Sequence, residues 1–588
     1  MWTQTFDPLQ NLALSAAVAA LPIVFLLWAL VIRGLKGYVA GLTTIALTLL
    51  IAIVVYGMPP HLAMLAAIQG ALYGLFPIGW IVLAAVVLYQ ITVRTGQFDV
   101  IKQSIASLTE DRRMQALLIA FSFGAFLEGC AGFGAPVAIS AGMLVGLGFD
   151  PRYAAGLCLV ANTAPVAFGS IGIPLITASQ VTGLDLHALS QMVGRQLPLL
   201  SLIVPFYLVA LMAGWRGVRA VWPAALVSGG SFAAAQFLTS NLLGPMLPDI
   251  ISSVVSILAL VLLLRVWQPP DTFRFAHEGP SVARATAPPL GATLRAWSPF
   301  LVLTLAVGDW GVRSVQAVVD LVSVRIPVPW LHQAIVNPET GAALPAVFRF
   351  NWLGASGTAV FIAAVLSAVI LRMPVRAFAE VCRGAVRQLA WSLVTIAAFL
   401  GFAFVGSASG ITTTLGWSLA ATGPLFAFFS PVLGWLGVFI TGSDTSANAL
   451  FGRLQQVSAS RLDLSPILTV ASNSSGGVTG KMISPQSITV ACAASGLVGR
   501  EPELLRFTLP HSLVMVSIVG AIAWSQATWL SWMVPVPLPS AGAGVASASA
   551  VQGAWVLGVS ATILGVIAFF VRRSAVGRDF SRAIVRPD

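Results

Sequence analysis

MQALLIAFSFGAFLEGCAGFGAPVAISAGMLVGLGF, residues 114–149, decides the fold, and it carries a single charge, Glu128, near its middle. As one straight helix it would measure about 54 Å, against about 30 Å for a hydrocarbon core. One straight span does not fit. The break is written in Glu128-Gly-Cys-Ala-Gly-Phe-Gly-Ala-Pro136, where Gly129, Gly132, Gly134 and Pro136 loosen or stop a helix. The apolar arm on each side is about 14 residues, marginal for crossing a bilayer. A tilted helix with a short surface piece would account for the length alone. A discontinuous helix or re-entrant hairpin also accounts for the acid, because intramembrane carboxylates are costly and mark function. We adopt the second reading.

The rest of the composition agrees. The chain is 57% hydrophobic and only 9% charged, with a mean hydropathy of +0.91. Soluble chains carry about 25% charged residues, so this is an all-α polytopic membrane protein, with length for about twelve to fourteen transmembrane helices. The net charge of +11 comes mostly from arginines in short connections and the tail, the signature of positive-inside sorting rather than of nucleic-acid binding. Cys130, Cys158, Cys382 and Cys492 are scattered, and His61, His187, His277, His332 and His511 do not cluster, so no metal, cofactor or disulfide frame is indicated. No nucleotide-binding glycine loop is present either, which argues against ATP-driven pumping.

In order, residues 1–113 hold N-terminal spans at 11–32, 38–57 and 62–93, the last interrupted by Gly74 and Pro77. The basic loop from Arg94 to Arg113 places that side in the cytoplasm and the N-terminus in the periplasm. Residues 114–215 form a first broken-helix unit, with further breaks at Asn162-Thr-Ala-Pro165 and Gly172-Ile-Pro174. Residues 216–388 connect, with a cytoplasmic loop at 268–295, an exposed loop at 309–350, and a basic loop around Arg372, Arg376, Arg383 and Arg387. Residues 389–510 form a second broken unit, and 511–588 give spans at 511–533 and 553–571 with a basic, cytoplasmic C-terminus. The two units overlay: Asn162, Gly169 and Pro174 have the spacing of Asn473, Gly480 and Pro485, each set following an acid, Glu128 or Asp444. Paired broken helices in corresponding halves point to a transporter's midplane site, and the placement of basic loops favours an inverted repeat.

New helix N-termini at such breaks suit a carboxylate. Asn162, Thr163, Asn473 and Ser474 supply short donors and acceptors there, although capping the half-helices would equally account for them. Gly132 and Gly134 let backbone approach a ligand, and Ser443, Thr445 and Asn448 surround Asp444. Lys481 is one of three lysines and lies outside the loops that hold Lys36 and Lys102. If buried, it needs Asp444, Glu128 or an anionic substrate as partner; snorkelling to the surface is the alternative. Glu128 is a candidate to bind and release a proton. Asp444 is a second such candidate, and it could instead pair with Lys481 or, with Ser443 and Thr445, hold a cation.

Three stretches carry a family likeness: FLEGCAGFGAPVAI (126–139), NTAPVAFG (162–169) and GSDTSANALFG (442–452), the last followed by SGGVTGKMISPQSI (475–488). Together they resemble the bacterial L-lactate permease family, with Ser474 in place of a threonine and Cys130 in place of a small residue. The likeness covers most of 10–575 and is weakest in 268–350. It implies proton-coupled uptake of L-lactate and related 2-hydroxy monocarboxylates, such as D-lactate and glycolate, across the bacterial inner membrane. The partners implied are a small carboxylate, protons and the lipid bilayer. A sodium-coupled carboxylate carrier is the alternative.

Overall fold

The computed structural model describes residues 1–275 and 287–536, apart from 131, 133, 312, 340, 498 and 499. The span expected at 553–571, the basic tail and the middle of the 268–295 connection lie outside the described residues.

Among the described residues, nine helices are long and apolar enough to cross a membrane, or ten if the pair Pro151–Ala161 and Val166–Thr182, bent by 65°, is one broken span. That is fewer than the twelve to fourteen expected, for two reasons besides the missing C-terminal span. Leu186–Leu242 counts once, yet its 57 residues would run about 86 Å if straight, nearly three hydrocarbon cores. It turns back at Gly214, whose φ of 63° and ψ of −168° no helix contains. Most of the half-helices, meanwhile, are too short or too polar to count singly.

Those half-helices form two units of like order. In the first, residues 112–130 run helically to Cys130, break, and resume as Ala135–Gly146; then Pro151–Ala161 breaks and resumes as Gly169–Thr182. In the second, Phe426–Thr441 breaks at Gly442 before Asp444–Arg461, and Pro466–Gly480 is separated by a single 3-10 turn, Lys481–Ile483, from Pro485–Ser495. Each second hairpin starts on a proline at the first helical turn, behind Asp150 or Ser465, where a missing N–H costs nothing.

The units pack by exchange. Ala135–Gly146 lies on Pro485–Ser495, and Gly169–Thr182 lies on Asp444–Arg461. The long helix after each unit does likewise: Leu186–Leu242 packs on Pro466–Gly480, and Glu501–Ala527 on Pro151–Ala161. Each unit thus meets the other through elements of like position in its own order.

Two expectations change. Residues 309–350 are not simply an exposed loop. The helix Leu290–Gly311 extends into them, and Val324–Pro327 pairs antiparallel with Val347–Phe350. Ile335–Val336 pairs with Trp2–Thr3, so the region clasps the N-terminus. The β-branched and aromatic residues of VRIP and VFRF favour a pleated ribbon, so the chain is not strictly all-helical. The basic loop after Arg372 is likewise helical: Val375–Ser409 runs unbroken behind Pro374, taking Arg376, Arg383 and Arg387 into its first turns.

Candidate functional site

The breaks converge on a charged cluster closed off from solvent. Glu128 sits two residues before the end of Gly124–Cys130 and is 2% exposed; Lys481, opening the 3-10 turn of the second unit, is 6% exposed. Lys481 Nζ donates to Glu128 Oε1 at 2.6 Å. The lysine therefore does not snorkel, and of the two acids considered for it the structure selects Glu128, not Asp444. Glu128 Oε2 has no hydrogen-bond partner among the described residues.

The backbone around the pair is shaped to admit it. Ser170, Ile171 and Gly172 take φ of 47°, 61° and 73°, a left-handed turn inside Gly169–Thr182. A β-branched residue there is strained, by about 1–3 kcal/mol. Neighbouring glycines make the turn possible: a Cβ on Gly132, itself at φ 57°, would strike Ser170 Oγ, and one on Gly169 would stand 2.8 Å from Glu128 Oε1. Gly134, at φ 84°, ends the first break by opening Ala135–Gly146. Asn162 caps Pro151–Ala161 at its C-terminal end, and neither its Oδ1 nor its Nδ2 has a partner although the residue is buried. Thr163 is buried too, but its hydroxyl is spent on Val160 O at 2.7 Å.

Around Asp444 the polar groups are arranged differently. Ser443 caps Asp444–Arg461, its Oγ accepting from Ser446 N at 3.3 Å. Asp444 Oδ2 accepts from the Ser474 hydroxyl and, at 3.4 Å, from Asn448 Nδ2. Asn448 Nδ2 also reaches Pro174 O at 3.1 Å, tying this helix to the first unit. Asn448 Oδ1 accepts from Asn473 Nδ2 at 2.9 Å, and Asn473 Oδ1 accepts from Gln455 Nε2 at 3.1 Å. Thr445 follows in the first turn, also buried. Asn473 was expected at a break, as the counterpart of Asn162. It lies inside Pro466–Gly480 instead, because that helix continues to Gly480 while its counterpart stops at Ala161.

One member of the cluster went unnoticed in the sequence. Asp249, 1% exposed, follows Pro248 at the start of Pro248–Val266, and both its carboxylate oxygens are buried without partners. It faces the first break: a Cβ on Gly129 would lie 2.7 Å from Asp249 Cβ. Asp249 and Asp444 each lie within electrostatic range of both Glu128 and Lys481. In sequence, an acid behind a proline at the head of an apolar run reads as an ordinary first-turn residue. That position favours an anion by about 0.3–1 kcal/mol. An unpaired buried charge costs several kcal/mol, so the helix terminus does not explain it.

The cluster thus sets three carboxyl groups against one ammonium in a buried volume. Burying a further anion there is costly, and a proton or cation bound with it would offset that cost. Neither the polar recess of about 360 Å³ beside Arg453 and Arg461 nor the apolar one of about 520 Å³ along Ile251, Leu258 and Trp297 is lined by Glu128, Asp249, Asp444 or Lys481. Among the described residues no group of His, Cys, Asp and Glu is placed to hold a metal ion.

Against known proteins, residues 15–530 match the family described as L-lactate permease. The chain is 53% identical to the L-lactate permease of Bacillus subtilis over 562 residues, covering 91% of this chain and 100% of that one. It is 51% identical to the L-lactate permease of Escherichia coli, with coverage of 91% and 100%. The glycolate permease GlcA of the same organism is 52% identical, with coverage of 90% and 98%. Among solved structures, the YdaH transporter of Alcanivorax borkumensis aligns with a TM-score of 0.40 and 16% identity, over 79% of this chain and 88% of that one.

Proposed function

This chain belongs to the L-lactate permease family, and from that premise we propose that it takes up L-lactate, and with it D-lactate and glycolate, by proton symport across the bacterial inner membrane. The observation that carries the reading is the buried pair between Lys481 and Glu128. A substrate carboxylate needs the ammonium of Lys481, which Glu128 holds. A proton on Glu128 releases it, so proton and substrate are taken up together and neither binds well alone. Asp444, with one oxygen still free, is a second place for a proton.

Asn162, with its unspent amide, and the backbone at Gly132, Gly134 and Thr163 form one wall of the substrate site. Ser443, Thr445 and Ser474 form the other, braced by Asn448 and Asn473. The two units are inverted about the membrane plane, with the N-terminus periplasmic and the C-terminus cytoplasmic.

Labelled L-lactate, D-lactate and glycolate uptake into proteoliposomes, with pH and sodium varied separately, tests the reading. We expect accumulation driven by an inwardly directed proton gradient without sodium. Uptake that needs sodium at fixed pH and ignores the gradient would overturn it.

A further inference from the structure

Asp249 has no part in that scheme, yet it shares the cluster. It approaches from Pro248–Val266, an element outside both broken units. The turn before it is pinned to the second break of the first unit: a Cβ on Gly172 would meet Pro245 O at 2.5 Å. Its side chain lies against Gly129, one residue from Glu128, and neither of its oxygens has a donor. Among the described residues, the titratable groups within electrostatic range of it are Glu128, Lys481 and the Cys130 thiol. The ammonium in this set is already held by Glu128 at 2.6 Å. A carboxylate so placed has no cation and no hydrogen-bond donor to support its charge, whereas a neutral carboxyl needs neither.

We infer that Asp249 is a proton relay, holding a proton while Lys481 is paired with Glu128 and passing it to Glu128 when a substrate carboxylate draws Lys481 away. The inference rests on the symport reading. Its steps balance. In the empty cluster Glu128 is anionic, Lys481 cationic and Asp249 neutral. The substrate anion enters and pairs with Lys481. The O–H bond of Asp249 breaks as one forms on Glu128 Oε2, the oxygen left without a partner. Asp249 then takes a replacement proton from the side the substrate came from, so one proton and one carboxylate have entered and the cluster's net charge is unchanged. Glu128 carries the coupled proton through the membrane, and Asp249 governs how it gets there.

The test is Asp249→Asn, which copies the neutral acid in size and polarity. The variant should fold, lose accumulation driven by a proton gradient, and show lactate counterflow exchange only at lowered pH, where Glu128 takes its proton directly from solution. Infrared spectra of the substrate-free protein should show a protonated-carboxyl C=O stretch in the wild type that is missing from the variant. Full accumulation in Asp249→Asn, an unchanged carboxyl band, or failure of the variant to fold would each overturn the relay. A wild-type protein that ignores the proton gradient would remove the symport reading instead, so the two failures are distinguishable.

Discussion

At the first break Glu128 has one partner, Lys481, and a free oxygen, while Asn162 in the same unit and Asp249 on Pro248–Val266 have no side-chain bonds among the described residues. At the second break Asp444 is embedded: Ser474 and Asn448 bond to it, and Asn473 and Gln455 hold Asn448 in turn. Two stretches of like order therefore differ in how completely their buried polar groups are satisfied. A buried group without a partner is destabilising by about 1–3 kcal/mol, and a fold keeps such groups where something else binds them in use. On the reading proposed above, the first break is the working side and the second is the frame that holds it.

The largest effect should come from removing the link between the sides. Lys481→Ala leaves Glu128 buried without a cation, a change that costs about 3–5 kcal/mol. We expect abolished transport and a sharply lower thermal midpoint. Adding Glu128→Gln to that variant should recover the midpoint but not transport. Lys481→Arg keeps the charge on a planar fork of different reach and should bind lactate poorly. If Lys481→Ala transports with native affinity, the anion site is elsewhere.

Next in size is Glu128→Gln, a copy of the protonated form. Lactate exchange should persist while accumulation against a gradient disappears, both read in the same proteoliposomes. The contrast between the sides is sharpest in the two asparagines. Asn473→Ala strips Asn448 and Gln455 of partners, and should lower stability by about 1–3 kcal/mol with little change in half-saturating lactate. Asn162→Ala should do the reverse, raising the half-saturating concentration with the thermal midpoint unchanged or higher. A thermal-shift titration with lactate reads both quantities. Identical behaviour of the two variants would erase the distinction drawn here. Smallest of all, Thr163→Val removes a hydroxyl bonded within its own turn, and should shift stability by about 1 kcal/mol or less.

Much of this was legible in the sequence, because breaking a helix takes particular residues. Gly129 to Pro136 marked the first break and Glu128 the acid at its edge. Lys481 stood out as a lone lysine in apolar sequence, and needing a buried partner follows from its charge alone. Which acid it chose did not follow: Glu128 is 353 positions away, and no local pattern reports such a pairing. Asn473 misled because its spacing to Gly480 matches that of Asn162 to Gly169, while helix continuity depends on packing rather than spacing. Asp249 was hidden by an ordinary local explanation, a first-turn acid behind a proline. The ribbon at 324–350 was missed because a polytopic chain biases every ambiguous stretch toward helix or loop.

The reciprocal packing of the two units also bears on how the chain is made. Ala135–Gly146 has 12 residues, while about 20 are needed to cross a bilayer. As it leaves the ribosome it can neither span the membrane nor find its mate, Pro485–Ser495, which is translated more than 300 residues later. Gly169–Thr182 waits similarly for Asp444–Arg461. The breaks of the N-terminal half therefore stay unmatched until residues 444–495 have been made. Biogenesis then ends in a late docking step, when the charges of both halves are buried together.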